Sequence, residues 1–414
     1  MGVNVGLNLT ITPLLWYDAR RLKKELQMIK RILEAKLKAE LAEYPVVTVF
    51  GPRQSGKTTL VRTSCPDFGY VSMEDKETRE AAATDYKAFF ANHPTPLIID
   101  EVQRLPEIVT AVQTIVDSQR DVCGQFILTG SQQTQLAEAV DESLAGRTSI
   151  LDLLPLSVIE LSAGLNDVST DECLSRGFMP ELHAHGKNAF NYYRNYFRTY
   201  VERDVRRLVN VKNLLQFERF VSLLAGRVGQ VVNFTSLANE TGVSVSTISA
   251  WLSVLEASFL VFRLPPYFTN IAKRVVKSPK VYFTDVGLAC YLLGIETSAH
   301  LKSHPLRGFL FENMVVAEIR KEFTNSGREP RMFFYRTEKG FEVDVIVSVA
   351  DKAVPIEIKS SMTYGKNLIR NLEAYCEKDP SAISPLLLYD GTSMRNLGLH
   401  GICAKNWREM ALIG

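Results

Sequence analysis

The chain has 414 residues, 46% of them hydrophobic and 23% charged. That balance excludes a collagen-like, low-complexity or wholly disordered polypeptide, and at about 100 to 200 residues per domain the length calls for two to four domains. With 48 Lys and Arg against 46 Asp and Glu the net charge is +2, so bulk charge points to no partner and any surface for nucleic acid has to be local.

Met1 to Trp16 contains apolar residues but neither a basic segment ahead of them nor a cleavage site, so secretion is not expected. No apolar run anywhere approaches the roughly 18 to 20 residues that cross a bilayer, so no membrane partner is expected either. Arg20 to Glu40 carries eight basic and three acidic residues, with Leu22, Leu26, Ile29, Ile32, Leu33 and Leu37 at helical spacing. It reads as an amphipathic helix packed on the next domain with a solvated face, and no chemistry is assigned to it.

From Pro45 the pattern becomes strand, glycine loop, helix, and apolar runs follow at Pro96 to Ile99 and Phe126 to Leu128. The alternation predicts a three-layer α/β domain with a mainly parallel sheet, placed at residues 20–162. Val46 to Phe50 runs directly into Gly51-Pro52-Arg53-Gln54-Ser55-Gly56-Lys57-Thr58-Thr59, the G-x-x-x-x-G-K-[ST] spacing of a P-loop. Glycines at both ends let the backbone turn its N–H groups toward phosphate oxygens, and the following helix presents its positive end. Lys57 is then expected to reach the β and γ phosphates of ATP, and Thr58 to ligate Mg²⁺. Leu97-Ile98-Ile99-Asp100-Glu101 is an apolar strand ending in two acids. Asp100 is expected in the Mg²⁺ shell, and Glu101 is expected to orient or activate the attacking water. A nucleoside kinase shares the P-loop, but the adjacent acids favour water as the nucleophile. A third strand ends in Thr129-Gly130-Ser131-Gln132, at the crevice where ligands bind such sheets, so Ser131 and Thr129 either sense the γ-phosphate or cap the next helix. Arg147 is read either as a cation for the transition state, in cis or for a neighbouring subunit, or as a surface ion pair.

The next region, 163–295, is expected to be helical with a winged-helix segment. Asn191 to Lys212 has Arg194, Arg198, Arg203, Arg206, Arg207 and Lys212 against Glu202 and Asp204. The interleaved Tyr192, Tyr193, Tyr196, Phe197 and Tyr200 read as core before they read as a base-stacking platform. Thr235 to Ser244 followed by Val245 to Ala257 has the helix, glycine turn, helix pattern, and Phe259 to Leu264 can pair with Lys280 to Thr284 as a wing. The second helix offers Ser246, Thr247, Ser249 and Ser253 but no cation, so any affinity for DNA has to come from the strip Arg263, Lys273, Arg274, Lys277 and Lys280. Ser162 to Thr170 and Glu296 to Pro305 read as connecting loops.

Residues 296–414 return to β-rich segments. Glu312 lies in a helical stretch, Asp344 in Glu342 to Val347, and Glu357 and Lys359 in Pro355-Ile356-Glu357-Ile358-Lys359, where alternation puts both on one face. Converging Asp344 and Glu357 would hold a second Mg²⁺ beside a scissile phosphate, with Lys359 positioning water and Glu312 completing the site. The pattern resembles the PD-(D/E)XK nuclease superfamily, with Val343-Asp344 in place of Pro-Asp; a retained fold without activity is the alternative. The six cysteines lie at least 27 positions apart, which suits neither zinc-ligand pairs nor a disulfide scaffold, so reduced thiols in a cytoplasm are expected.

Taken together, Gly51 to Thr59, Leu97 to Glu101, Leu128 to Gln132, Leu144 to Arg147, Tyr200 to Val205, Trp251 to Leu260, Phe311-Glu312-Asn313 and Ile356 to Ser361 resemble a bacterial and archaeal family of predicted ATP-binding proteins. Its members join an AAA-type ATPase domain to a C-terminal domain of unknown function. The resemblance implies ATP binding and hydrolysis at Lys57, Thr58, Asp100 and Glu101, a winged-helix segment and a nuclease-like end, and it brings no substrate. Two functions follow: an Mg²⁺-dependent ATPase whose other half acts on DNA, or an ATP-dependent switch whose C-terminal half grips a protein partner without cleaving anything. Homo-oligomerisation is left open.

Overall fold

The computed structural model describes residues 29–131, 140, 142–165, 167–200, 214–267 and 278–410. The first sheet contains β1 (Val46–Phe50), β2 (Gly69–Ser72), β3 (Leu97–Asp100), β4 (Phe126–Gly130) and β5 (Thr148–Asp152), in the order β2-β3-β4-β1-β5 with every pair parallel. Alternation along the strands builds its two faces. Val46, Phe50, Leu97, Ile99, Phe126 and Leu128 pack with Val109, Val112 and Val116 of the helix Ile108–Ser118. Val47, Val49, Ile98, Ile127 and Leu151 pack with Leu60 and Val61 of the helix Lys57–Ser64 and with Leu33 and Leu37 of the helix Leu33–Glu43. Strands buried on both faces read as continuous apolar runs, which is why the sequence displayed them so clearly.

The middle of the chain is more helical than its loops suggested. Helices Val158–Leu165 and Thr170–Arg176 take up parts of the expected loop at Ser162 to Thr170, and a turn of helix at Ser298–Leu301 lies in the second expected loop. Helices Pro180–His185 and Ala189–Tyr196 follow, and then Leu214–Ala225, Phe234–Thr241 and Val245–Ala257. Strands β6 (Val261–Leu264) and β7 (Lys280–Phe283) pair antiparallel. The five aromatics Tyr192, Tyr193, Tyr196, Phe197 and Tyr200 are all buried. Of the basic residues expected beside them, Arg203, Arg206, Arg207 and Lys212 lie outside the described residues, as do Lys273, Arg274 and Lys277 of the second strip.

After the helix Arg307–Asn325 the last sheet has six strands: β8 (Met332–Arg336), β9 (Glu342–Val349), β10 (Lys352–Lys359), β11 (Leu386–Tyr389), β12 (Met394–Leu397) and β13 (Ile402–Asn406). Their order is β12-β13-β11-β10-β9-β8, with β8, β9 and β10 antiparallel and β10, β11 and β13 parallel. One apolar core spans the central helices and one face of this sheet, running from Phe217 and Trp251 through Phe283, Phe311 and Ile319 to Ile356 and Leu388. The central and C-terminal regions therefore share a core rather than standing as separate beads. No helix among the described residues is long and apolar enough to cross a membrane.

Candidate nucleotide-binding site

The P-loop leaves the carboxyl end of β1 and turns into the helix Lys57–Ser64. Two glycines make the turn: Gly51, at φ 153°, has no room for a Cβ against the Leu153 carbonyl, and Gly56, at φ 93°, stands at the helix start. Lys57 is buried, and its Nζ donates to the Gly51 and Pro52 carbonyls at 2.9 and 3.0 Å. The ammonium thus spans the loop that phosphate would enter, and the buried Ser55 hydroxyl has no partner among the described residues. Burial pushes Lys57 down to about 8, against the pull of Glu101 and Asp100.

Because β4 separates β1 from β3, the ends of all three strands meet at one point. The Thr58 hydroxyl donates to the Asp100 carboxylate at 2.9 and 3.1 Å, and Tyr70 OH donates to it at 2.9 Å. The Thr129 hydroxyl also donates to Asp100, while Ser131 is buried one step beyond the end of β4. Thr129 therefore orients Asp100, a role its sequence neighbourhood did not announce. Glu101 follows β3 with a left-handed backbone, φ 56°, a conformation costing a non-glycine residue of order 1 kcal/mol. That bend brings Glu101 to the wall of the cleft, where its carboxylate accepts from the Gln103 amide. Thr58 and Asp100 supply the hard oxygen donors that Mg²⁺ prefers, so these residues fit the ion.

The cleft has a volume of about 760 Å³, and its far wall belongs to the central region: Glu181, Asn188, Asn191, Tyr192, Asn195 and Thr199 are among the lining residues. Two contacts tie that wall to the P-loop. Tyr192 OH donates to Gln54 Oε1 at 2.6 Å, and the Arg53 guanidinium lies 5.4 Å from the centre of the Tyr200 ring. On the opposite side Arg31 clamps the loop, donating to the Ser55 and Leu154 carbonyls at 2.7 Å each and to Glu160 at 2.9 Å. Arg31 sits in a run of cations that reads as a solvated helix face, so nothing local marks it as the buried member. Thr59 also lines the cleft.

Arg147 is elsewhere. The register pairs Thr148 with Val46, so Arg147 lies at the amino end of the sheet, one strand length, roughly 16 Å, from the end where the P-loop starts. It pairs with Asp117 at 2.7 and 3.0 Å. A role on its own subunit's nucleotide is thereby corrected. Arg147→Ala should leave ATP turnover unchanged at protein concentrations where the chain is monomeric, and a large loss of kcat there would contradict this placement.

The C-terminal carboxylates also converge, but on lysines. Lys359 Nζ meets Asp344 at 3.0 Å and Glu357 at 2.7 Å, and the Ile358 N–H donates to Asp344 at 2.8 Å. Lys280, only 1% exposed, meets Glu312 at 2.9 Å and Glu342 at 2.5 Å. Tyr282 OH donates to Glu312 at 2.6 Å. Burial alone would pull Lys280 down, but Glu312, Tyr282, Asp344 and Glu342 hold it well above its usual range. Burial and the Asp344 charge push Glu357 up to about 8, against the pull of Lys359. Among the described residues no group of three or more acids, histidines or cysteines is arranged to hold a metal. Asp344 and Glu357 thus face one ammonium, while Glu312 is turned to Lys280 and Tyr282 of β7; beside it, Asn313 accepts from the Phe283 N–H at 2.7 Å and donates to its carbonyl at 2.9 Å. Lys280, expected on a basic strip, is internal, and Arg263 of the same strip is paired with Glu256 at 3.0 Å.

Comparison with known proteins divides the chain into three. Residues 43–162 match an AAA domain, 168–299 a domain of unknown function (DUF8612), and 307–405 a second one (DUF4143). Uncharacterized protein Rv2008c of Mycobacterium tuberculosis and Uncharacterized protein Mb2031c of Mycobacterium bovis are each 30% identical over 339 residues, 81% of this chain and 74% of theirs. Among solved structures, the Walker-type ATPase PABY2304 of Pyrococcus abyssi is similar at 16% identity and a TM-score of 0.40, over 64% of this chain and 96% of that one. At that score the likeness carries no conclusion about activity.

Proposed function

The chain belongs to the family of Uncharacterized protein Rv2008c of Mycobacterium tuberculosis, and on that footing we propose that it binds ATP in the P-loop cleft and hydrolyses it with Mg²⁺. The observation that carries this reading is the meeting of Lys57, the Thr58 hydroxyl, Asp100 and Glu101 at one cleft. Phosphate oxygens replace the carbonyls that Lys57 now holds, with the backbone of Gly51, Pro52, Arg53, Gln54, Ser55 and Gly56 around them. Thr58 and Asp100 would hold Mg²⁺, which supplies charge compensation for the phosphates. Glu101 orients a water and takes its proton as the oxygen bonds to the γ-phosphorus and the bond to the ADP oxygen breaks. Ser131, buried one residue past β4, is assigned to registering the γ-phosphate. Phosphate release should require added Mg²⁺; release undiminished by EDTA contradicts the reading.

The lysine supplies a pH signature. Binding needs the ammonium, so above about pH 8 the free protein must take up a proton as ATP enters. The apparent KM for ATP should be flat below that pH and rise about tenfold per pH unit above it. ATP titrations of the initial rate between about pH 7 and pH 9.5 check this, and a KM that stays flat throughout contradicts it.

For the other half, the switch reading is favoured over cleavage of DNA. What supports it is the pairing of the C-terminal carboxylates with Lys280 and Lys359, together with the burial of Lys280 and the pairing of Arg263 with Glu256. The three central helices with a two-stranded pair, and the helix, three-strand, helix, strand order of the last domain, are what remains in favour of a winged-helix and nuclease-like DNA-acting half. A salt titration of duplex binding separates the two. The switch predicts no duplex binding at low salt. Steeply salt-dependent binding, with Mg²⁺-dependent cleavage lost in Asp344→Ala, would overturn it.

A further inference from the structure

The helix Ala189–Tyr196 has two faces with different jobs. Tyr192, Tyr193 and Tyr196 are buried, and Tyr193 OH donates to Asp285 at 2.7 Å, just past β7. The other face carries Asn191 and Asn195 at a spacing of four residues, both exposed to the cleft opposite Lys57, Thr58 and Glu101. Among the described residues neither side-chain amide has a hydrogen bond to protein. The third feature is Tyr196, which also lines the cleft: it is 2% exposed, and its hydroxyl has no partner among the described residues. An orphaned buried hydroxyl is costly unless a ligand completes it.

We propose that Asn191, Asn195 and Tyr196 bind the terminal phosphate of the nucleotide and make this helix the element that tells a nucleoside triphosphate from a diphosphate. The inference rests on the ATP reading and adds its far wall. On the Lys57 side of the cleft the P-loop backbone grips phosphates common to both nucleotides, and Lys57 bridges from these to the γ-phosphate. Neutral amides and a hydroxyl across the cleft add donors that only the longer chain reaches. Neutral donors also suit a contact that must release, because they do not leave a buried cation behind when phosphate departs. The Gln54–Tyr192 hydrogen bond keeps this wall in register with the P-loop, and the Tyr193–Asp285 bond joins the same helix to the segment that leaves β7.

Equilibrium binding of Mg²⁺ with a non-hydrolysable ATP analogue and with ADP tests the proposal in the full chain. Asn191→Ala/Asn195→Ala should weaken the triphosphate analogue by about tenfold or more and ADP by less than about twofold. Tyr196→Phe, which keeps the buried ring, should weaken the analogue by roughly threefold to tenfold, again sparing ADP. Equal weakening of both nucleotides, or of neither, overturns the proposal while leaving the P-loop reading intact. A parent protein that binds neither nucleotide overturns both.

Discussion

Glu101→Gln is expected to lower kcat for ATP hydrolysis by about 10²- to 10⁴-fold while ATP binding stays close to that of the parent. The amide keeps the size and the hydrogen bond with Gln103 but cannot accept a proton from water. Glu101 lies beyond the last residue of β3, and its left-handed backbone places it at the cleft wall beside Lys57 and Thr58. It is not one of the groups around the Thr58 hydroxyl, which are gathered by Asp100. The two acids therefore divide the work: losing Asp100 should disturb Mg²⁺ and binding, and losing Glu101 should disturb the chemical step. Single-turnover hydrolysis beside equilibrium binding distinguishes these outcomes. A Glu101→Gln variant that turns over at the parent rate would remove Glu101 from the mechanism.

Lys280→Met is expected to destabilise the fold by about 3–5 kcal/mol, the scale for removing one partner of a buried ion pair. The lysine is 1% exposed and Glu312 8%, so the carboxylate left behind keeps Tyr282 but loses its cation. Lys280→Met/Glu312→Gln should recover part of the loss, because the second change removes the stranded charge. Urea unfolding of the two single variants and the double variant measures this coupling. If Lys280→Met costs no more than a surface substitution, within about 0.5 kcal/mol, then the lysine is not the internal cation described here. Since β7 and the helix Arg307–Asn325 also share the Asn313 contacts, the same experiment tests whether the central and C-terminal regions unfold together.

The nucleotide site was legible because its parts are local in sequence. The P-loop is nine consecutive residues, and the strand before Asp100 and Glu101 is apolar because it is buried on both faces. What escaped was whatever depended on distant pieces of chain. Arg31 looks like any other cation of a basic helix until it meets Ser55 and Leu154. Tyr192 reads as core, and it is core, yet its hydroxyl reaches Gln54. Arg147 follows a motif-like Leu-Ala-Gly but sits at the wrong end of its strand, a matter of direction that spacing alone does not reveal. In the last third, alternation correctly brought Glu357 and Lys359 together near Asp344. It could not foresee that a lysine 32 residues before Glu312 would neutralise that acid. The alternation of Lys280 with Tyr282 in an otherwise apolar strand was the available signal, since a cation there faces the same way as a buried ring.

The most direct measurement of the central claim is phosphate release from ATP by the parent protein and by Lys57→Ala under identical Mg²⁺ concentrations. The P-loop account predicts Mg²⁺-dependent release by the parent and its loss in the variant, with the fold retained by circular dichroism. A folded Lys57→Ala protein that hydrolyses ATP as fast as the parent would contradict it.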